Sequence, residues 1–320
     1  MRISKVFFYV MVAVALAACS NDDNDIIDNG QEQPLPLTIT VNETPLHNPN
    51  APAQVPATRT AVTTTSTLTA FTLDYQYYIE GELMSGENSV TKEGGKWSAG
   101  TWPTEADEST TVKWFAHTDG TIPYQANYLS FTVEELSTNQ KDLLVATASG
   151  TKADTGGHLA FTFDHACTAL RFYVKKATNL KGYTLTVTDI KICNIVSDGK
   201  YYFSTSAWTP GTFRSEYSLY TGSGMILGTG DYMLLNANKD DFLFMIPQTL
   251  TAWDTTTDIA SAKAQTYISL ECSITGATSF NGTAYIPFAA TLAAGMQHDV
   301  KINIGKNSLY NNSGNKIITE

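Results

Sequence analysis

Leu159-Ala160-Phe161-Thr162-Phe163-Asp164-His165-Ala166-Cys167-Thr168-Ala169-Leu170-Arg171-Phe172-Tyr173-Val174 is the stretch on which the fold reading turns. Leu159, Phe161 and Phe163 fall on odd positions, and Leu170, Phe172 and Val174 on even ones. Strict alternation is the mark of a strand with one buried face. A slip of one residue sends every side chain to the opposite face. One face therefore stays buried along the whole stretch only if an extra residue intervenes, which predicts a β-bulge between Asp164 and Ala169.

The same period of two governs the chain on either side. Thr60 to Asp74, Tyr75 to Ile79, Thr111 to Ala116, Tyr183 to Ile195, Phe242 to Ile246, Tyr267 to Ile274 and Val300 to Ile304 read as strands rich in Thr, Val, Ile and aromatic residues. Glu93-Gly94-Gly95, Thr118-Asp119-Gly120, Ser197-Asp198-Gly199 and Thr221-Gly222-Ser223-Gly224 read as turns between them. Only Val133 to Leu136 and Asp258 to Ala264 suggest short helices. The expected class is all-β, built of sandwiches or barrels. Polar Ser149 to Gly157 is the best candidate boundary, dividing the body into 59–155 and 156–320.

Ahead of the body lie two unlike segments. Arg2 and Lys5 precede an apolar run from Val6 to Ala15, then Leu16-Ala17-Ala18-Cys19. That is a secretory signal, too short for a membrane span of about 20 residues. The small-small-Cys ending resembles a bacterial lipobox, so residues 1–18 are expected to be removed and Cys19 acylated. Two or more acyl chains would hold the protein stably in a membrane. Residues 20–58 contain Asp22, Asp23, Asp25, Asp28, Glu32 and Glu43, no Lys or Arg, and six of the eleven prolines. Such a stretch buries too little to offset its ordering entropy and reads as a tether. Within it, Leu37-Thr38-Ile39-Thr40-Val41 alternates, placing Leu37, Ile39 and Val41 on one face. A lone strand in a tether has a purpose only if it docks elsewhere.

Composition narrows the function. The 320 residues carry a net charge of −11, with 42% hydrophobic and 16% charged residues, so most of the chain has a core and no basic tract faces a nucleic acid. After Cys19 only Cys167, Cys193 and Cys272 remain, allowing at most one disulfide. His47, His117, His158, His165 and His298 lack zinc-site spacing, and there is no Cys-x-x-Cys. His165 and Cys167 invite a thiol–imidazole pair, but beside a core an inert thiol is the commoner outcome. Gly222-Ser223-Gly224 lacks the strand–loop–helix setting of a phosphate loop and reads as a hairpin tip. No catalytic site, cofactor or metal is expected.

Several segments in order carry a family resemblance. Lys96-Trp97 with Thr101-Trp102-Pro103, Lys113-Trp114-Phe115-Ala116, Asp142-Leu143-Leu144-Val145-Ala146, Phe161 to Phe172, Met245-Ile246-Pro247-Gln248, Tyr285-Ile286-Pro287-Phe288 and Gly295 to Ile304 resemble the fimbrillins, the lipoprotein-derived pilins of Bacteroidetes. The resemblance implies two tandem transthyretin-like Greek-key β-sandwich domains and assembly into fimbriae by strand exchange between subunits. It also implies a trypsin-like cut after a basic residue that frees an N-terminal strand. Arg59 is the first basic residue after Lys5, so a cut between Arg59 and Thr60 would release lipid, tether and the Leu37–Val41 strand together. Removing Leu37, Ile39 and Val41 would uncover roughly 1.5–3 kcal/mol of burial each, driving a replacement strand into the slot. Ser20-Asn21-Asp22-Asp23 resembles the acidic export signal of surface lipoproteins, which implies an outer-membrane, surface-exposed location. Lys306 to Glu320 lacks the family's usual ending and holds few apolar residues, so an anchor or tip subunit is the alternative to a stalk subunit. The rival from another class is a stand-alone glycan-binding lipoprotein that stacks host or bacterial sugars on loop residues Trp97, Trp102, Trp208 and Trp253.

Overall fold

The computed structural model describes residues 34–49, 68–235 and 242–318, and those from Leu35 on form one compact unit. In chain order the first strands are β1 Thr38–Glu43, β2 Ala70–Ile79, β3 Glu82–Glu93, β4 Lys96–Ser98, β5 Val112–His117, β6 Tyr128–Thr132 and β7 Leu144–Gly150. Helix α1, Lys152–Thr155, leads into β8 His158–His165 and β9 Thr168–Lys176. Then come β10 Thr184–Val196, β11 Asp198–Tyr202, β12 Ala207–Pro210, β13 Arg214–Ile226, β14 Met233–Leu234, β15 Leu243–Met245 and β16 Thr249–Leu250. The last are β17 Tyr267–Thr275, β18 Phe280–Pro287, β19 Ala290–Thr291 and β20 Gln297–Ile304. The all-β reading holds. The short helical segments are 3-10 turns at Ser137–Asn139 and Ile259–Ser261 and two others, besides the single turn of α1.

Two hydrophobic cores organise these strands. The first lies inside a seven-stranded sheet ordered β1-β8-β7-β5-β2-β3-β4, with Phe71, Leu73, Trp114, Phe161 and Phe163 at its centre. The chain after β4 returns to the opposite end of that sheet, where Pro36 and Thr101 form an antiparallel bridge. The sheet thus curls round its own core, and β1 closes it. The second core is larger. It lies among the sheets β13-β10-β17-β18 and β14-β9-β15, with β20 parallel to β9, and the sheet β12-β11-β6 covers it.

The register switch at 159–174 is real, but its cause is not a bulge. β8 buries its odd positions in the first core, and β9 buries Leu170, Phe172 and Val174 in the second. Ala166 and Cys167, both buried, break the strand between them. The chain leaves one sheet for another, so each parity faces a different core. Ser149 to Gly157, expected as a boundary, is the end of β7 and the connector from it to β8, its neighbour in one sheet. Thr151 caps α1 by accepting from the Asp154 N–H, and Gly156 ends it in the left-handed region. Connectors and linkers share a polar composition, so the sequence did not separate them. The cores also interleave: Leu129, Phe131, Leu143 and Val145, all before residue 155, pack in the second core.

Two of the expected turns are strand. Gly199 lies in β11, where a Cβ would come 3.0 Å from the Thr209 carbonyl oxygen, so glycine there serves close strand approach. Gly222 and Gly224 lie within β13, whose pairing with β10 shifts register three times. These glycines fit an irregular strand and not a hairpin tip.

Candidate functional site

The site is the slot that receives the N-terminal strand. β1 runs parallel to β8, from Thr38 opposite His158 to Glu43 opposite Phe163. The Thr38 N–H donates to the Gly157 carbonyl (2.9 Å) and the Thr44 N–H to that of Phe163 (2.8 Å). On the other side the Leu37 N–H donates to Gly100 O (2.9 Å), and the Trp102 N–H donates to Leu35 O (2.8 Å). Gly157 sits at φ +80°, and a Cβ there would lie 2.8 Å from Pro36 O, so only glycine lets the segment in this close. Leu37 and Ile39 are buried in the first core, while Val41 is half-buried against it.

The segment continues past β1 to the second core. Leu46 is buried there. The His47 N–H donates to Gly295 O and the Gln297 N–H to His47 O, each at 2.8 Å. Residues 35–49 therefore clasp both cores. β8 depends on this partner, because on its far side it pairs with β7 only at Leu144–His165 and Val145–Asp164.

At the end of β1 stands a group of ionisable side chains. The His165 Nδ1–H donates to Asp142 Oδ2 at 2.5 Å, and both side chains are mostly buried. Burial pushes the imidazole toward its neutral form, but the hydrogen bond and charge of Asp142, with Glu43 and the Thr44 backbone, outweigh it and raise its pKa. Desolvation raises the Glu43 carboxyl, His165 opposes that, and Asp142 adds to it. Asp142 Oδ1 is buried without a hydrogen-bond partner. His165 is thus committed to Asp142. Cys167 is fully buried with its thiol pushed far up by desolvation, so no nucleophile is paired with the imidazole. Cys193 (about 11) and Cys272 (about 12) are raised by burial too, and all three thiols are free.

Leu37, Ile39 and Val41 are thus seen in a docked strand; Cys19, Arg59 and Thr60 lie outside the described residues. The tryptophans are not the open platforms that the glycan-binding rival requires, and two of those read as loop residues lie in strands, Trp97 in β4 and Trp208 in β12. Trp102 and Trp253 are buried, Trp253 among Tyr267, Tyr285 and Tyr310. Trp97 packs edge-on against Phe71, and Trp208 turns inward to donate its Nε1–H to Ala166 O at 2.7 Å. Sequence reasoning missed Leu46, Gly157, Asp142 and Glu43. Of these only Leu46, an isolated apolar residue between Pro45 and His47, carried a local signal.

A family model described as fimbrillin-like matches residues 53–318, so β1 precedes the matched region. Among solved structures, a fimbrial protein from Bacteroides vulgatus superposes with a TM-score of 0.52 at 16% identity, covering 83% of this chain and 95% of that one. A putative cell adhesion protein from Bacteroides ovatus gives 0.45 at 14% identity, covering 87% and 95%. A fimbrial assembly protein from Parabacteroides distasonis gives 0.41 at 12%, covering 78% and 89%. No curated protein matches the sequence.

Proposed function

This chain belongs to the fimbrillin-like family, and from that premise we propose that it is a structural subunit of a surface fimbria, made as a precursor anchored in the outer membrane through acylated Cys19. In this reading a cut between Arg59 and Thr60 leaves residues 19–59 attached by non-covalent contacts alone. Their release empties the slot beside β8, and a strand from another subunit fills it. The two cores are read as the tandem transthyretin-like sandwiches of the family. The role is one of assembly, without catalysis or cofactor.

The observation that carries this reading is the one-sided pairing of β8. Its β7 side is bonded at two positions only, whereas β1 pairs with it at six. Taking β1 away strips β8 of most of its ladder and uncovers Leu37 and Ile39's share of the core, about 1.5–3 kcal/mol for each side chain. An incoming extended segment restores both. The intact mass of surface-extracted protein tests the proposal. An N-terminus at Thr60 is expected in fibres, and Arg59→Ala is expected to stay lipid-bound and monomeric. Normal polymers from Arg59→Ala would defeat it.

A second reading, anchor or tip subunit, is favoured by the packing of the chain after β20. Leu309 and Ile318 are buried in this molecule's own second core, and Tyr310 bridges Tyr285. Those residues are then not free to serve a neighbour. Purified Thr60-form protein that caps pre-formed fibres, yet does not extend itself, would identify that role.

A further inference from the structure

From the sheet β12-β11-β6 we infer a carbohydrate-binding groove, distinct from the slot of β1 and independent of fibre assembly. Alternation divides this sheet cleanly. Leu129, Phe131, Tyr201 and Phe203 point inward and are buried in the second core. The outward residues fall into rows set by the register. Ser130, Lys200 and Thr209 lie side by side, with Thr121 bridged to Ser130. Thr132 pairs with Asp198 on one flank, and Tyr128 with Tyr202 on the other. The outer face is therefore a strip of hydroxyls with a carboxylate at one end and two phenol rings at the other.

That face is concave. The Asp119–Thr121 turn and the Pro210–Gly211 segment wall a groove of about 530 Å³ above it, within the size range of small-molecule sites. Its polar groups are already held in place. Asp198 Oδ1 accepts the Phe213 N–H at 2.9 Å, and the missing side chain of Gly211 leaves room for the carboxylate. Asp119 accepts the Gly120 N–H at 2.7 Å, and Lys200 Nζ stands 4.4 Å from the centre of the Tyr128 ring. The Tyr128 and Tyr202 rings are 5.7 Å apart.

This inventory matches a sugar chain. Pyranose rings offer apolar C–H faces to aromatic side chains and hydroxyls to carboxylate, hydroxyl and ammonium groups. Tyr202 at one end would stack a terminal ring while Lys200, Ser130 and Asp198 bind hydroxyls along the groove. Lys200 and Lys141, which approaches Asp119 at 3.6 Å, balance Asp198 and Asp119. A groove so balanced favours neither an anion nor a cation, so the ligand is a neutral oligosaccharide.

The test is retention of the purified full chain on an array of neutral oligosaccharides with their sialylated counterparts. Neutral glycans are expected to be bound in preference, with affinity falling about tenfold for Tyr202→Ala. Asp198→Asn, which keeps an acceptor for the Phe213 N–H, is expected to weaken binding with an unchanged melting curve. Tyr124→Ala, removing a ring 80% exposed outside the groove, is expected to leave it unaltered. The inference is overturned if no neutral glycan is retained, if sialylated glycans are preferred, or if only peptides bind. It is equally overturned if binding survives undiminished in folded Tyr202→Ala.

Discussion

A methyl group at Gly157 would meet the Pro36 carbonyl oxygen in a backbone conformation that side chains rarely adopt. Gly157→Ala is expected to cost about 1–3 kcal/mol, and limited proteolysis should then cut residues 35–49 faster than in the parent. His165 supplies a pH signature. Its pKa in the folded state is raised above an unfolded value of about 6.5. Its stabilisation is therefore complete below that value and is lost as pH climbs through the folded pKa. Glu43, raised above 4.5, acts in the same sense at lower pH. The denaturant midpoint is expected to fall as pH rises above about 6.5, with a smaller fall in His165→Gln. A parallel fall in that variant would assign the slope elsewhere. His165→Gln is also expected to be less stable throughout, since Asp142 loses its partner in a buried setting.

At the scale of elements, the segment 35–49 can be tested as two separate contacts. Ile39→Ala removes buried surface from the first core and Leu46→Ala from the second. Each is expected to destabilise by about 2–4 kcal/mol, less if the site collapses. Hydrogen exchange should report the first loss in β8 and the second near β20. Alternation made most of the long strands legible: β5, β8, β9, β10, β17 and β20 all fall within or beside stretches read as strands. Thr60 to Asp74 and Tyr75 to Ile79 read as two strands; residues 60–67 lie outside the described residues, and the rest runs through residue 74 as the single strand β2, since nothing at Asp74 breaks the ladder with β3. Partners were not legible. Period two tells which residues share a face but not which core that face meets, and so the parity change at 165–168 was read as a bulge. The same limit hid the transfer of Leu129 and Phe131 to the second core. Glycine misled at Gly199 and Gly222, where its small size, and not its freedom to turn, is what the strands use. In the slot, the apolar positions of β1 were visible, while Asp142 and His165, 23 residues apart, met only through the fold.

On the scale of the whole molecule, cleavage after Arg59 is expected not to release the N-terminal fragment at once, because β1, Leu46 and His47 still hold it. Size-exclusion chromatography should find fragment and body together until a synthetic peptide of residues 34–49 is added in excess. Immediate separation would place the affinity of the slot far below what its buried side chains suggest. The path of residues 35–49 has a mechanical corollary. They run in the same direction as the β8–β9 passage, fixed to Gly157 and Phe163 at one end and to Gly295 and Gln297 at the other. Both passages pin the two cores to each other, beside β7, whose Leu144 and Ala146 face the first core and whose Val145 faces the second. Stripped of one, the molecule should flex more there, and small-angle scattering should register the slackening before any new strand braces it again.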